Sequence, residues 1–354
     1  MKPTNLASSA HPHTTLSLPS VELLSMKPIL FTNVPVLDTV NSKLASFIDS
    51  ARPWPSNASQ SQSQIKQTLS QAILPYLKSG PKSKASSGLL VQWARITETL
   101  TNALQPAEIF PLVDMWRLAL LDPSVSSWCA SLPISKNSPD PLAIFLAKAI
   151  SALAVSNASR NYILTVLRML SNAFTSPALI LVLLSGQTRK DVTMLLVTTL
   201  LHGDAAVRTA AASLAFNVAA YLQKGRVDMV RSGNSGGDGL EEDGDWEVEM
   251  VSAVVEAVDR EKGSEEVGKS FFFDRSIVLF MITVSAVHRL TACLAFLLRL
   301  SPFYDDQLMP LLEVLQSQSH LKSKLMKGGC GESGVQKKEV RKLVEEVAGK
   351  LCPA

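Results

Sequence analysis

Residues 159–174 read SRNYILTVLRMLSNAF and combine an apolar face with a polar stripe. The apolar residues recur at helical spacing and predict one buried side; they are Ile163, Val166, Leu167 and Leu170. The polar stripe holds one residue per turn: Asn161, Thr165, Arg168 and Asn172. Such a stripe is typical of a solvated face, but it also suits a groove in which asparagine holds a peptide backbone and arginine pairs with its acids. The sequence leaves both interpretations open.

The same pattern returns further along the chain. Asn172 lies in VLRMLSNAF at 166–174, and Asn217 takes the matching position in AASLAFNVA at 211–219, 45 residues later. Units of about 40–47 residues are typical of armadillo and HEAT repeats, whose helices cannot bury their apolar faces alone. This spacing predicts helices that stack on one another.

Helix boundaries are marked by capping residues, prolines and glycines. Asp140-Pro141 and Ser176-Pro177 each place a capping side chain before a proline at the first helical position. Gly186, Gly203 and Gly225 follow apolar runs and predict helix ends. The expected helices are 107–121, 141–155, 159–174, 177–185, 189–202, 204–224 and 336–350. No period-two alternation is long enough for a sheet, so the predicted fold class is all-α, an armadillo-like superhelical stack of helices (an α-α solenoid).

The charge of the chain is unevenly distributed. Its formal net charge is only +3, but residues 238–266 hold 12 of its 31 acidic residues and two of its 34 basic ones. The rest of the chain therefore carries 32 basic and 19 acidic residues. A basic body favours an acidic partner. No cluster of five or more Lys or Arg occurs, and aromatic residues are not interleaved with basic ones, so nucleic acid is not expected as a partner.

Several other classes of protein are disfavoured. The scattered cysteines show no metal-ligand spacing and suit thiols in a reducing compartment; they are Cys129, Cys293, Cys330 and Cys352. The first 30 residues lack the features of a signal peptide. The most apolar window, Ser276–Val287, is shorter than the roughly twenty residues that span a bilayer. We therefore expect no metal, no membrane association, and a location in the cytoplasm, the nucleus or both.

Two formal matches to catalytic motifs lack their structural context. Gly263–Ser270, GSEEVGKS, fits the phosphate-loop pattern, but no buried strand precedes it and two glutamates would repel the phosphates. Gly233–Gly237, GNSGG, fits the nucleophile-elbow pattern but lies in a polar, glycine-rich stretch. We therefore expect no catalytic residue and no cofactor, which makes the chain a non-enzyme.

Three segments in chain order resemble the PUL domain. They are FPLVDMWR at 110–117, LTVLRMLSNAF at 164–174 and HRLTACLA at 288–295. The PUL domain is the C-terminal module of the phospholipase-activating protein family, and in a fungal architecture it follows a PPPDE peptidase domain and a thioredoxin-like domain. PILFTNVP at 28–35 looks like the linker after that thioredoxin domain. The resemblance covers about residues 31–320.

The resemblance implies an armadillo-like fold that binds the acidic C-terminal tail of valosin-containing protein, a hexameric AAA ATPase that extracts ubiquitylated proteins. The family's binding ridge is basic, and the matching motifs make Arg117, Arg168, Asn172, Asn217 and Arg289 the candidate partner-binding residues. The leading hypothesis is a non-catalytic adaptor in ubiquitin-dependent protein turnover. Two alternatives stay open: the partner-recruiting C-terminal part of a PPPDE-type ubiquitin or SUMO isopeptidase whose catalytic domain is missing here, and a generic armadillo cargo receptor.

The predicted domain organisation has three parts: a disordered linker at 1–30, the PUL-like helical domain at 31–327, and a tail with a C-terminal helix at 328–354. A flexible acidic loop is expected at 232–245. Residues 268–286 interrupt the family pattern, and we hypothesise that they are a retained intron, which would put the role of Arg289 in doubt. A mature transcript that encodes 268–286 would contradict this hypothesis.

Overall fold

The computed structural model describes residues 17–55, 60–80, 85–135, 138–155, 158–232, 243–262 and 286–353. Within these ranges the regular elements are helices, and no strand occurs. The predicted all-α fold class is confirmed. The two formal catalytic motifs lie outside the described residues, as do the acidic loop and the suspected insertion except at their ends.

The helices are numbered α1 to α17 in chain order. Their bounds are α1 Pro19–Glu22, α2 Leu37–Ser50, α3 Gln62–Thr68, α4 Leu74–Ser79, α5 Ser87–Ala103, α6 Pro106–Ala119, α7 Pro123–Ser135, α8 Pro141–Ala154, α9 Arg160–Ala173, α10 Pro177–Leu183, α11 Gly186–Leu200, α12 Ala205–Ser232, α13 Gly244–Arg260, α14 Ala286–Leu298, α15 Met309–Val314, α16 Ser317–Ser323 and α17 Lys338–Lys350. Two π-helical turns, Leu69–Ile73 and Tyr304–Leu308, precede α4 and α15.

The chain divides into two compact units. One unit is Lys27–Asn217, and the other combines Met1–Met26 with Val218–Ala354. Within Lys27–Asn217, α5 packs against α8, α6 against α9, α7 against α10, and α8 against α11. Each of the four helices α5 to α8 thus meets the helix three positions later, a three-helix period expected of armadillo-type units.

Three stacked tryptophans connect the first helices of this repeat. The ring centroids of Trp93 on α5 and Trp116 on α6 are 4.1 Å apart, and Trp128 on α7 stacks on Trp116 at 6.4 Å. The indole N–H of Trp116 donates to Thr97 Oγ1 at 2.9 Å. This contact satisfies a polar group that would otherwise be buried without a partner.

Helix starts were predicted well from capping residues. The Asp140 side chain accepts from the backbone N–H groups of Leu142 and Ala143, and Ser176 accepts from Leu179, as the capping pattern predicts. The same pattern at Asp122-Pro123 starts α7, which the apolar periodicity did not reveal.

One glycine predicted to end a helix, Gly225, does not do so. Gly186 has a left-handed φ of +51° and follows α10, which ends at Leu183, as predicted, although it is also counted as the first residue of α11. Gly225 lies inside α12, which continues to Ser232. A glycine within a helix costs about 1 kcal/mol. The neighbouring Arg226 offsets this cost because its buried guanidinium donates to Glu247 on α13 and to the Leu297 carbonyl on α14.

Helix α12 is the one described helix that is long and apolar enough to cross a membrane by length and composition. In this structure 72% of its apolar window is buried inside the protein. Burial in a protein core explains the same composition.

Residues 17–30, predicted as part of a disordered linker, contain the short helix α1, which packs against α17. The Glu346 carboxylate accepts from the backbone N–H groups of Ser20 at 2.7 Å and Val21 at 3.0 Å. It therefore satisfies two N–H groups that a helix start leaves unpaired. Leu18 and Val21 are each 1% exposed, so α1 belongs to the core of its unit.

We expect Glu346→Ala to lower the free energy of unfolding of this unit by about 2 kcal/mol, because two charge-assisted hydrogen bonds are lost. Urea-induced unfolding followed by circular dichroism measures the change. Glu345→Ala is the matched control: Glu345 is 55% exposed and meets Arg341 only at 3.8 Å, so its loss should cost less than about 0.5 kcal/mol. Equal effects of the two substitutions would contradict the capping role of Glu346.

Candidate functional site: a groove that holds an extended segment

The candidate site is a row of side chains on every third helix of the Lys27–Asn217 unit: Arg117 on α6, Asn172 on α9 and Asn217 on α12. All three are almost fully buried. They contact a segment of the same chain, residues 28–33, that forms no helix. This segment was predicted to be a linker, and PILFTNVP suits an extended path because a proline disfavours helical backbone in the residue before it.

Asn172 binds both backbone groups of Phe31. The Phe31 N–H donates to Asn172 Oδ1 at 2.7 Å, and Asn172 Nδ2 donates to the Phe31 carbonyl at 3.0 Å. The second hydrogen of Nδ2 goes to the Arg117 carbonyl at 2.8 Å. This last bond fixes the orientation of the amide against α6.

Asn217 repeats this arrangement two residues earlier in the segment. It accepts from the Ile29 N–H at 2.6 Å and donates to the Ile29 carbonyl at 3.0 Å. Residues two apart in an extended chain direct their backbone groups the same way. Asn172 and Asn217 are 45 residues apart, and the residues that they hold, Phe31 and Ile29, are two apart. The two asparagines therefore occupy equivalent positions of the repeat.

Arg117 completes the row with a guanidinium. Its Nη1 donates to the Phe31 carbonyl and its Nη2 to the Asn33 carbonyl at 2.9 Å. Its Nε donates to Asp114 at 2.5 Å. The charge of Arg117 is therefore paired within the protein, and its donors hold the segment.

Arg168 lies on α9 one turn before Asn172 and is only partly buried. Its guanidinium carbon is 5.4 Å from the centroid of the Phe31 ring, a cation–π distance. Its Nε is buried without a hydrogen-bond partner, and within the described ranges the side chain forms neither a hydrogen bond nor an ion pair. Burial lowers the pKa of Arg168, and the nearby charges of Arg117 and Arg160 lower it further.

The two neighbouring arginines each form an ion pair, whereas Arg168 forms none within the described ranges and is influenced by Asp114 only from a distance. Asp114 pairs with Arg117, and Asp204 pairs with Arg160 at 2.6 Å. An anion that approaches this part of the groove would find Arg168 with hydrogen-bond donors to offer.

The fifth predicted residue, Arg289, belongs to the other compact unit. It lies on α14 next to His288, and burial lowers the pKa of Arg289 to about 10. Burial, Arg289 and Lys337 together lower the pKa of His288 to about 4. His288 is therefore uncharged at neutral pH, and the charges near it within the described part of this unit are those of Arg289 and Lys337.

The structure brings four of the five predicted residues together, around a segment that sequence reasoning did not place there. Asn172 was predicted to hold a partner's backbone and Asn217 to bind a partner; here they hold Phe31 and Ile29 of the same chain. The prediction missed both segment residues. A usable signal was present, because a proline-flanked stretch of six residues, four of them apolar, is too short for a stable helix and needs a surface to cover it.

The fold and this groove define a helical-repeat protein that holds an extended chain on regularly spaced amide side chains. The family model of the PUL domain matches residues 25–272, more than half of the sequence, and the chain belongs to the PUL domain family. The PUL domain is a protein-interaction domain. The match includes the 28–33 segment and four of the candidate residues, and it ends before Arg289. No curated protein matches the chain.

Proposed function

We propose that this chain is a non-catalytic adaptor in ubiquitin-dependent protein turnover, in the cytoplasm or nucleus, and that it binds the acidic C-terminal tail of an AAA ATPase of the valosin-containing-protein type. Membership of the PUL family supports a protein-binding role. The observation that supports an acidic partner is that the Arg168 guanidinium makes no hydrogen bond within the described ranges.

The tail is proposed to bind beside the 28–33 segment and not in its place. A tethered segment competes at an effective concentration of about millimolar. A partner that offered only backbone groups to Asn172 and Asn217 would therefore compete poorly with Phe31 and Ile29. The acidic side chains of the tail, or its terminal carboxylate, instead supply a negative charge that pairs with the Arg168 guanidinium, which the 28–33 segment does not supply.

The test is fluorescence anisotropy of a labelled acidic tail peptide with the full chain, at low and moderate salt. The full chain is needed because Ile29 and α1 belong to the folded protein. We expect binding that weakens with salt and becomes at least about tenfold weaker in Arg168→Glu, since a charge-assisted pair is replaced by repulsion.

Arg95→Glu is the matched control. Arg95 is exposed on α5, a helix that gives no hydrogen bond to the segment, and the substitution changes the net charge equally. It should weaken binding less than about twofold. No binding of the acidic peptide, or equal losses in the two variants, would contradict the proposal. Stronger binding of a basic or apolar peptide would favour the generic cargo receptor.

A further inference from the structure

The backbone of Phe31 is held more firmly than that of its neighbours in the segment. Its N–H and carbonyl both pair with Asn172, and the same carbonyl also accepts from Arg117. Ile29 and Asn33 each contact one of the three side chains of the row. Phe31 is therefore fixed in register against α9.

The Phe31 ring lies on the guanidinium one helical turn away from the amide that holds its backbone. Arg168 and Asn172 are four residues apart, which places them as neighbours on one face of α9. The ring centroid is 5.4 Å from Arg168 Cζ. Asn172 and Arg168 thus act on the same residue, one on its backbone and the other on its side chain.

The row has three rungs, which are the positions of Arg117, Asn172 and Asn217. A backbone-holding side chain combined with a cation one turn earlier occurs at the Asn172 rung. The residue one turn before Asn217 is Ser213, and the residue one turn before Arg117 is Val113. Both are fully buried, and neither has a charged side chain. Among the three rungs, a cation and an aromatic ring meet only where Phe31 crosses α9.

We propose that Phe31 is a positioning residue for Arg168, and that its ring holds the guanidinium in the orientation that receives a carboxylate of the partner. A ring uses the face of a guanidinium, whereas a carboxylate binds the N–H donors along its edge, so both contacts form together. This inference rests on the proposed function. It adds that part of the recognition comes from the chain's own N-terminal segment.

The experiment repeats the peptide titration with the full chain carrying Phe31→Leu or Phe31→Tyr. Leucine keeps apolar bulk but has no π face, so we expect about fivefold weaker binding. Tyrosine keeps the ring and should bind within about twofold of the native chain. In an Arg168→Met background, Phe31→Leu should cause no additional loss, because the cation that the ring positions is absent.

Ile29→Ala is the control for loosening of the segment, because Ile29 is held by Asn217 and is not paired with a cation. We expect its binding to change less than about twofold. Native-like binding by Phe31→Leu, failure of Phe31→Tyr to restore it, or an equal loss in Ile29→Ala would overturn the positioning role alone. Absence of peptide binding by the native chain would overturn the proposed function itself.

Discussion

Replacing Glu247 with alanine is expected to lower the free energy of unfolding of the unit that contains Val218–Ala354 by about 3–5 kcal/mol. Glu247 on α13 accepts from Arg226 Nη2 with both carboxylate oxygens, each at 2.9 Å. The two side chains are 1% and 2% exposed. Removing the carboxylate takes a counter-ion away from a buried guanidinium, which costs more than the pair itself contributes.

Hydrogen exchange of the α13 and α14 amides measures this loss directly in the affected unit. Glu256→Ala is the control, since Glu256 is on the same helix but 44% exposed in its pair with Arg260. The control should cost less than about 0.5 kcal/mol. Replacing both buried partners, as Arg226→Met with Glu247→Leu, should recover part of the stability, although the Leu297 carbonyl then loses its donor. Similar losses in Glu247→Ala and Glu256→Ala would refute the argument.

Asn172→Ala is expected to destabilise the Lys27–Asn217 unit by about 2–3 kcal/mol. The substitution removes the two bonds to Phe31 and the bond to the Arg117 carbonyl. Because Asn172 is fully buried, the groups left behind lose partners that water does not readily replace. Urea-induced unfolding gives the free energy, and faster exchange of the Phe31 N–H reports release of the segment.

Two further variants distinguish the loss of the groove contacts from a general destabilisation of helix α9. Asn161→Ala removes an exposed amide from the same polar stripe of α9 and should cost less than about 0.5 kcal/mol. Asn172→Asp keeps the acceptor for the Phe31 N–H but turns a second oxygen toward the Phe31 and Arg117 carbonyls, so we expect a loss at least as large as that of Asn172→Ala. Normal protection of the Phe31 N–H in Asn172→Ala would show that the amide does not hold the segment.

Local sequence signals predicted much of the helical framework. The capping side chains of Asp140 and Ser176 lie within a residue or two of the helix starts because capping depends on neighbouring atoms only. The end of α12, by contrast, was predicted too early, because it depends on residues that are distant in the sequence. The buried contacts of Arg226 with Glu247 and Leu297 stabilise the helix beyond Gly225, and they join residues far apart in the sequence.

The site residues on the helices were predictable from the sequence, whereas the residues of the 28–33 segment were not. The polar stripe that holds Arg168 and Asn172 follows from helical spacing, and the 45-residue repeat relates Asn172 to Asn217. An extended segment has no such spacing, because it satisfies its backbone on a surface made by other parts of the chain. The contacts of Ile29 with Asn217 and of Phe31 with Asn172 span 188 and 141 residues. Only the folded repeat brings these residues together.

The contact between α1 and α17 has a mechanical consequence. Lys350 Nζ donates to the Ser17 carbonyl at 2.6 Å, next to the bonds from Ser20 and Val21 to Glu346. A pulling force applied at Ser17 and Pro353 would be carried first by this short contact. The intervening residues, including the groove, would bear load only after it broke. Tension between attachments at both of these positions would therefore pass through the α1–α17 contact while the hydrogen bonds of Phe31 stay unloaded.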